Sequence, residues 1–286
     1  MISSLNYTKK AGNAGLLNWN TMLKNEYQNL AIEHRDNGVA VITINRPEVA
    51  NAFNTQTGHD LKNVFSSLVE YAREYRCIVL TGAGDKAFCA GADLKERNTL
   101  SDAQWVAQHE IFERAFKAVL DCPVPVIAAV NGAAYAGGLE IMLQCDFTYA
   151  STSARFALTE VSLGIMPGGG GTQLLPRIIG ERRAKELILA AKPFSAEEAY
   201  AWGLVNKLCK PEALMQETLA TAERIASNAP ISVRTAKHSI HRGLQMDLDS
   251  GMLFEIEAYQ RMVGTSDRKE GIRAFNEKRK PKFTGQ

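Results

Sequence analysis

The sequence has no CxxC pair, no apolar stretch approaching the roughly 18 residues of a membrane-spanning helix, and almost no charge imbalance. Each shortage excludes something. Cys77, Cys89, Cys122, Cys145 and Cys209 are odd in number and scattered, so they read as reduced, mostly buried thiols rather than a disulfide framework. No membrane span is expected, no secretory signal is visible, and reduced thiols point to the cytoplasm. Lysine and arginine number 33 against 31 acids, a net charge of +2, so bulk charge implies neither nucleic acid nor an anionic membrane as partner. The run Gly168-Gly169-Gly170-Gly171 is followed by Thr172 and lacks the lysine of a nucleotide P-loop. No repeat of fixed period and no other low-complexity tract is present.

What is present is an ordinary globular composition, 45% hydrophobic and 22% charged over 286 residues. That length suits roughly two domains of about 150 residues, or one α/β domain with a helical extension. The first 24 residues hold Lys9, Lys10 and Lys24 but neither acid nor arginine. Residues 1–26 read as a loosely ordered tail. A mitochondrial-matrix location is the alternative if that tail is a targeting peptide, against which its lack of arginine counts.

From residue 27 the patterning sharpens. LAIEHR and VAVITIN flank Asp36-Asn37-Gly38, a hairpin signature, and Arg46-Pro47 ends the second strand. Leu61, Val64, Phe65, Leu68 and Tyr71 recur at helical spacing and predict a helix over 55–74. CIVLTG (77–82) and VPVIAAVNG (124–132) read as buried strands, with a helix over 102–119 between them. A further helix opens near Gly137, and FTYAS follows as a short strand. Strands alternating with helices, the strands nearly all apolar, predict a parallel sheet with helices on its faces. After Pro167 helices dominate, expected over 181–191, 195–202, 211–228, 231–245, 250–264 and 268–277. A mostly helical region therefore starts near residue 200.

Two strand ends carry candidate chemistry. In Gly132-Ala133-Ala134-Tyr135-Ala136-Gly137-Gly138 a strand gives way to a helix whose first amides and positive dipole end favour negative charge. Ala90-Gly91-Ala92-Asp93 follows the neighbouring strand and offers a second backbone segment of the same kind. Two amides from such loops can converge on one oxygen as an oxyanion hole. Glu140, in the first helical turn, and Glu160, in ALTEVSLGIMPGGGG, flank these segments as an acid–base pair. Their bland readings are a helix-dipole partner and a solvated surface carboxylate. Gly82-Ala83-Gly84-Asp85-Lys86-Ala87 matches the GxGxxA of dinucleotide sites. The FCAG that follows is not a helix start, which favours a turn. His238 and His241 lie three apart, too few for a metal site, and no metal is expected. The basic stretch Lys278-Arg279-Lys280-Pro281-Lys282 is brief, so no nucleic-acid partner is expected.

FCAGADLKE, VIAAVNGAAYAGGLEIMLQCDFTYA and FALTEVSLGIMPGGGGTQLLPRIIG, in that order, resemble the crotonase (enoyl-CoA hydratase/isomerase) superfamily, closest to its enoyl-CoA hydratases. The resemblance runs from about residue 28 to the C-terminus, including AFNEKRKPKF. It implies an α/β spiral of strand–strand–helix units over 27–200. A helical region over 201–286 would build a homotrimer, or a homohexamer of paired trimers. It also implies an oxyanion hole from the amides of Ala92 and Gly137, catalysis by Glu140 and Glu160, and support from the Gly168 amide. Lys86, Lys95 and Lys278 would reach the phosphates of coenzyme A, and the Ala90 carbonyl its adenine amine. The implied activity is hydration of a trans-2-enoyl-CoA, with no cofactor beyond the coenzyme A of the substrate itself. Two departures stand out: Glu48 where many members carry lysine, and Ala136 where most hydratases carry glycine. Ala136 reads as a mild change at a helix start. Alternatives are an isomerase of the same fold that moves the double bond with one glutamate, a nicotinamide-dependent oxidoreductase using the GxGxxA stretch, and a non-catalytic RNA-binding oligomer.

Overall fold

The structure is a computed structural model that describes residue 23 and residues 27–286. The tail expected over 1–26 lies outside the described residues except for Leu23, whose side chain is fully buried in the core.

β1 (Leu30–His34) and β2 (Val39–Ile44) form an antiparallel hairpin, with Gly38 at φ +81° where the turn needs a left-handed residue. Asn54 caps the start of α1 (Thr55–Glu70), its side chain accepting from the Thr57 amide. The helix ends at Glu70 rather than 74. The chain there turns back so that the Arg76 amide donates to the Gly38 carbonyl.

Three units then repeat one plan, a long strand, a short strand and helix. The first is β3 (Cys77–Gly82), β4 (Ala87–Cys89), α2 (Leu94–Arg97) and α3 (Asp102–Leu120). The second is β5 (Val126–Val130), β6 (Ala133–Tyr135) and α4 (Gly137–Leu143). The third is β7 (Phe147–Ser151), β8 (Arg155–Ala157), α5 (Gly171–Ile179) and α6 (Glu181–Leu189). α5 carries Pro176 in its interior, which hides it from a reading based on helix propensity. β9 (Phe194–Ser195), α7 (Ala196–Ala201), β10 (Lys207–Cys209) and α8 (Leu214–Ala226) follow. The chain closes with α9 (Pro230–Gly243), α10 (Leu248–Val263) and α11 (Ser266–Asn276).

The long strands build a six-stranded sheet in the order β1-β2-β3-β5-β7-β10, parallel except for the first pair. The sheet takes its last strand from beyond residue 200. One face, with Ala40, Ile42, Ile44, Ile78 and Leu80, joins the main core with α1 and α3. The other, with Val39, Val41, Cys77, Val79 and Ile127, packs on Leu214 and Ala222 of α8. Burial on both faces is why these strands read as continuous apolar runs. The short strands form a second sheet, β4-β6-β8-β9. At two or three residues each they are too brief to show a period in sequence.

The GxGxxA stretch is a turn between β3 and β4. The Asn51 Nδ2 donates to the carbonyls of Ala83 and Ala87 (3.0 and 2.8 Å), and the Asn131 Nδ2 to those of Gly82 and Gly84 (2.9 and 2.7 Å). No helix opens at Ala83, and the next begins only at Leu94. The dinucleotide alternative therefore lacks the helix N-terminus that would hold a pyrophosphate.

Candidate active site

Because β4, β6 and β8 are parallel neighbours, the segments leaving their C-terminal ends emerge side by side. Those segments carry Ala92, Gly137 and Glu160. The Phe53 amide donates to the Gly91 carbonyl (2.7 Å) and the Asp93 amide to the Phe53 carbonyl (2.9 Å), so the intervening Ala92 N–H points away from Phe53. An ion pair of 3.1 Å between Arg46 and Asp93 braces the segment. A Cβ on Gly91 would lie 3.4 Å from the Gly137 nitrogen, so the two loops touch. Neither the Ala92 nor the Gly137 amide has an acceptor among the described residues.

Ala136 departs from the mild change read in the sequence. It is the N-cap of α4 and holds φ +48°, ψ −125°, a conformation that only glycine adopts without strain. A strained residue of this kind costs about 1–3 kcal/mol. Ala136→Gly, which gives back part of that through unfolded-chain entropy, is expected to stabilise the protein by about 1 kcal/mol. Comparing urea midpoints of the two proteins checks this, an unchanged or lower midpoint counting against the strain.

Glu140 sits in the first turn of α4, 4% exposed. Its Oε1 accepts from the amides of Gly169 (2.7 Å) and Gly171 (2.9 Å). Gln144, one turn on, pins the same run by donating to the Gly169 carbonyl (2.7 Å). Burial pushes the Glu140 carboxyl upward, while those two amides and the charges of His109 and Arg97 pull it back. Glu160, 6% exposed, opens a short 3-10 turn, and no other described residue donates to either carboxylate oxygen. Burial, reinforced by the Glu140 charge and only eased by its own backbone amide, pushes it up to about 7. The solvated reading of Glu160 is therefore not the one the structure shows.

Ala90, Ala92, Gly137, Glu140, Glu160 and Gly168 all line one cavity of about 810 Å³. Gly168 forms part of its wall against the His109 ring, while the amides on Glu140 belong to its neighbours Gly169 and Gly171. Lys86, Lys95 and Lys278 are exposed and stand outside that lining. Among the described residues no cluster of three His, Cys, Asp or Glu side chains is arranged to hold a metal.

Sequence reasoning missed Arg97 and Gln108. Gln108 is 3% exposed and bridges three elements: it accepts from the Arg97 Nε (3.0 Å) and donates to Thr55 Oγ1 (2.8 Å) and Glu96 Oε2 (2.9 Å). Arg97 is 8% exposed, its guanidinium over Trp105 at 4.2 Å and Phe112 at 5.3 Å. Burial lowers its pKa, opposed by the charges of Glu96 and Glu140. The available signal was Gln108 itself, a polar residue on the Trp105–Phe112 face of a helix whose other inward positions are apolar.

A profile of the enoyl-CoA hydratase/isomerase family matches residues 34–286. The short-chain-enoyl-CoA hydratase of Clostridium acetobutylicum is 42% identical over 255 residues, 89% of this chain and 97% of that one. The crotonyl-CoA hydratase of Syntrophomonas wolfei is 40% identical over 257 residues, 90% of this chain and 98% of that one. Among solved structures, the enoyl-CoA hydratase of Bacillus anthracis superposes with a TM-score of 0.89 at 44% identity, covering 91% of this chain and 100% of that one. With a family profile across nearly all the described residues and relatives matched over almost their whole lengths, the chain belongs to the enoyl-CoA hydratase/isomerase family.

Proposed function

We propose that this protein adds water across the double bond of a trans-2-enoyl-CoA thioester to give the 3-hydroxyacyl-CoA. The observation that carries the reading is a pair of buried carboxylates in unlike surroundings, sharing one cavity with two unpaired amides. Glu140, whose carboxylate two N–H groups hold against the upward push of burial, serves as the base. It accepts a proton from water as the water oxygen bonds to the β-carbon. Glu160 has no donor from another described residue and keeps its proton up to about pH 7, which it delivers to the α-carbon. Negative charge collects on the thioester oxygen between those events, where the amides of Ala92 and Gly137 receive it. The Gly168 amide, on the same wall, supports the attacking water. Coenzyme A arrives as part of the substrate, its phosphates meeting the exposed Lys86, Lys95 and Lys278 and its adenine amine the Ala90 carbonyl.

Glu160 ties activity to pH in a definite sense. Its folded carboxyl sits near 7 against the usual 4.5, so the folded protein holds a proton that the unfolded chain releases. The resulting instability is absent below about 4.5, grows between 4.5 and 7, and is complete above 7. Hydration, measured as kcat/KM, is expected to fall as pH rises through about 7. Glu160→Gln, neutral throughout, is expected to unfold at a higher temperature than wild type at pH 8, with a smaller difference at pH 5. Equal differences at both pH values would argue against a protonated Glu160.

The same reading includes assembly into a homotrimer or a hexamer of paired trimers. Supporting it, α9–α11 leave Ile240, Leu244, Leu248, Leu253 and Phe275 largely exposed, an apolar surface that a second copy would cover. No helix among the described residues is long and apolar enough to cross a membrane.

A further inference from the structure

Among the described residues that line the cavity, Arg97 is the one lysine or arginine, and the proposed hydration does not use it. Its Nε is committed to Gln108, and its flat face lies over Trp105 and Phe112. Its two terminal nitrogens have no acceptor among the described residues and no carboxylate within ion-pair distance. The fork is therefore held in place by its neighbours while its terminal nitrogens stay open to solvent at the cavity wall, and a planar pair of oxygens is the group it fits best. Glu140 feels its charge without bonding to it, because the Glu140 Oε1 is taken by Gly169 and Gly171. The acids of the rim do not supply the partner either: Glu110 pairs with Arg114 and Glu113 with His109.

We infer that Arg97 receives a carboxylate at the far end of the acyl group, so that the site takes a short 2-enoyl thioester whose other end is an acid. The inference rests on the hydratase reading and names its substrate class. The phosphates of coenzyme A are the other source of anionic oxygen. They are separated from the thioester by the long pantetheine arm, whereas Arg97 lies close enough to the reacting end to act on Glu140. The aromatic surroundings of Arg97 also suit a compact acyl group, and exposed lysines are available outside for the phosphates.

The test uses three thioesters: crotonyl-CoA, 4-carboxybut-2-enoyl-CoA and its amide, 4-carbamoylbut-2-enoyl-CoA. Wild type is expected to favour the acid over the amide by about 10- to 100-fold in kcat/KM, the range of charge-assisted hydrogen bonds. In Arg97→Met that preference should vanish, the acid and amide thioesters then reacting at equal kcat/KM whatever the change in crotonyl-CoA turnover. An equal wild-type response to acid and amide overturns the inference while leaving the hydratase reading intact, and needs no variant to fold. Equal losses on all three thioesters in Arg97→Met, with weaker binding of free coenzyme A, would assign Arg97 to the phosphates instead. Failure of wild type to hydrate any of the three would remove the hydratase reading itself.

Discussion

Glu140→Gln is expected to slow hydration of crotonyl-CoA by about 10²–10⁴-fold, and Glu160→Gln by a similar factor, the range for loss of a positioned acid or base. Glutamine is the informative replacement at both positions because it keeps shape and volume. At 140 its carbonyl oxygen can still accept from the Gly169 and Gly171 amides, so the glycine run stays in place, yet it has no affinity for the proton of water. At 160 it resembles the protonated acid but cannot give the proton up. Losses confined to kcat, with unfolding temperature held or raised, would mark both groups as chemical rather than structural. The double variant should lose little more than the worse single one, since residues acting as one unit are not additive. The decay of the conjugated thioester absorbance measures all three. An isomerase working with one glutamate would tolerate Glu140→Gln, so retained activity in that variant would turn the assignment toward it.

Gly138→Ala is expected to destabilise the protein by about 3 kcal/mol or more, beyond the usual cost of an added methyl in a packed core. The new Cβ would stand 2.0 Å from the Cys89 carbonyl oxygen and 2.9 Å from the Cys89 Cβ. No rotamer relieves a clash with backbone, and β4 is held by its pairing with β6. Relief requires α4 to move off β4, which also carries the Gly137 amide away from that of Ala92. Whatever fraction folds should therefore hydrate slowly. Gly137→Ala is the control, because its Cβ would first meet the Phe116 ring at an ordinary 3.6 Å. Urea midpoints and rates per folded protomer compare the two. If Gly138→Ala matched wild type in both, the close seating of α4 on β4 would be wrong.

Much of the fold is legible because its signals are local. The hairpin turn at Asn37-Gly38, the helical spacing from Leu61 to Leu68 and the apolar run of CIVLTG each depend on a residue and its chain neighbours. The late helices are legible for the same reason, ending within a few residues of where periodicity stops. The second sheet is not, since strands of two or three residues have no period and exist only because β4, β6 and β8 lie side by side. Ala136 looked harmless for a related cause: its backbone angles are set by the corner between β6 and α4, not by its own preference.

At the site the division is sharper. Motifs along the chain identify which groups are chemically able: two glutamates, two glycine-rich strand ends and a handful of lysines. Their condition is set by folding. The Glu140 carboxylate is held by amides 29 and 31 residues away, whereas Glu160 is left with no donor from another described residue. Arg97 is pressed among aromatics with its fork unclaimed. Proton affinity and the reach of a charge depend on what surrounds a group, and residues distant in sequence supply those surroundings. The spacing of motifs along the chain carries no record of that desolvation, so what these residues can do became readable only once the chain had folded around them.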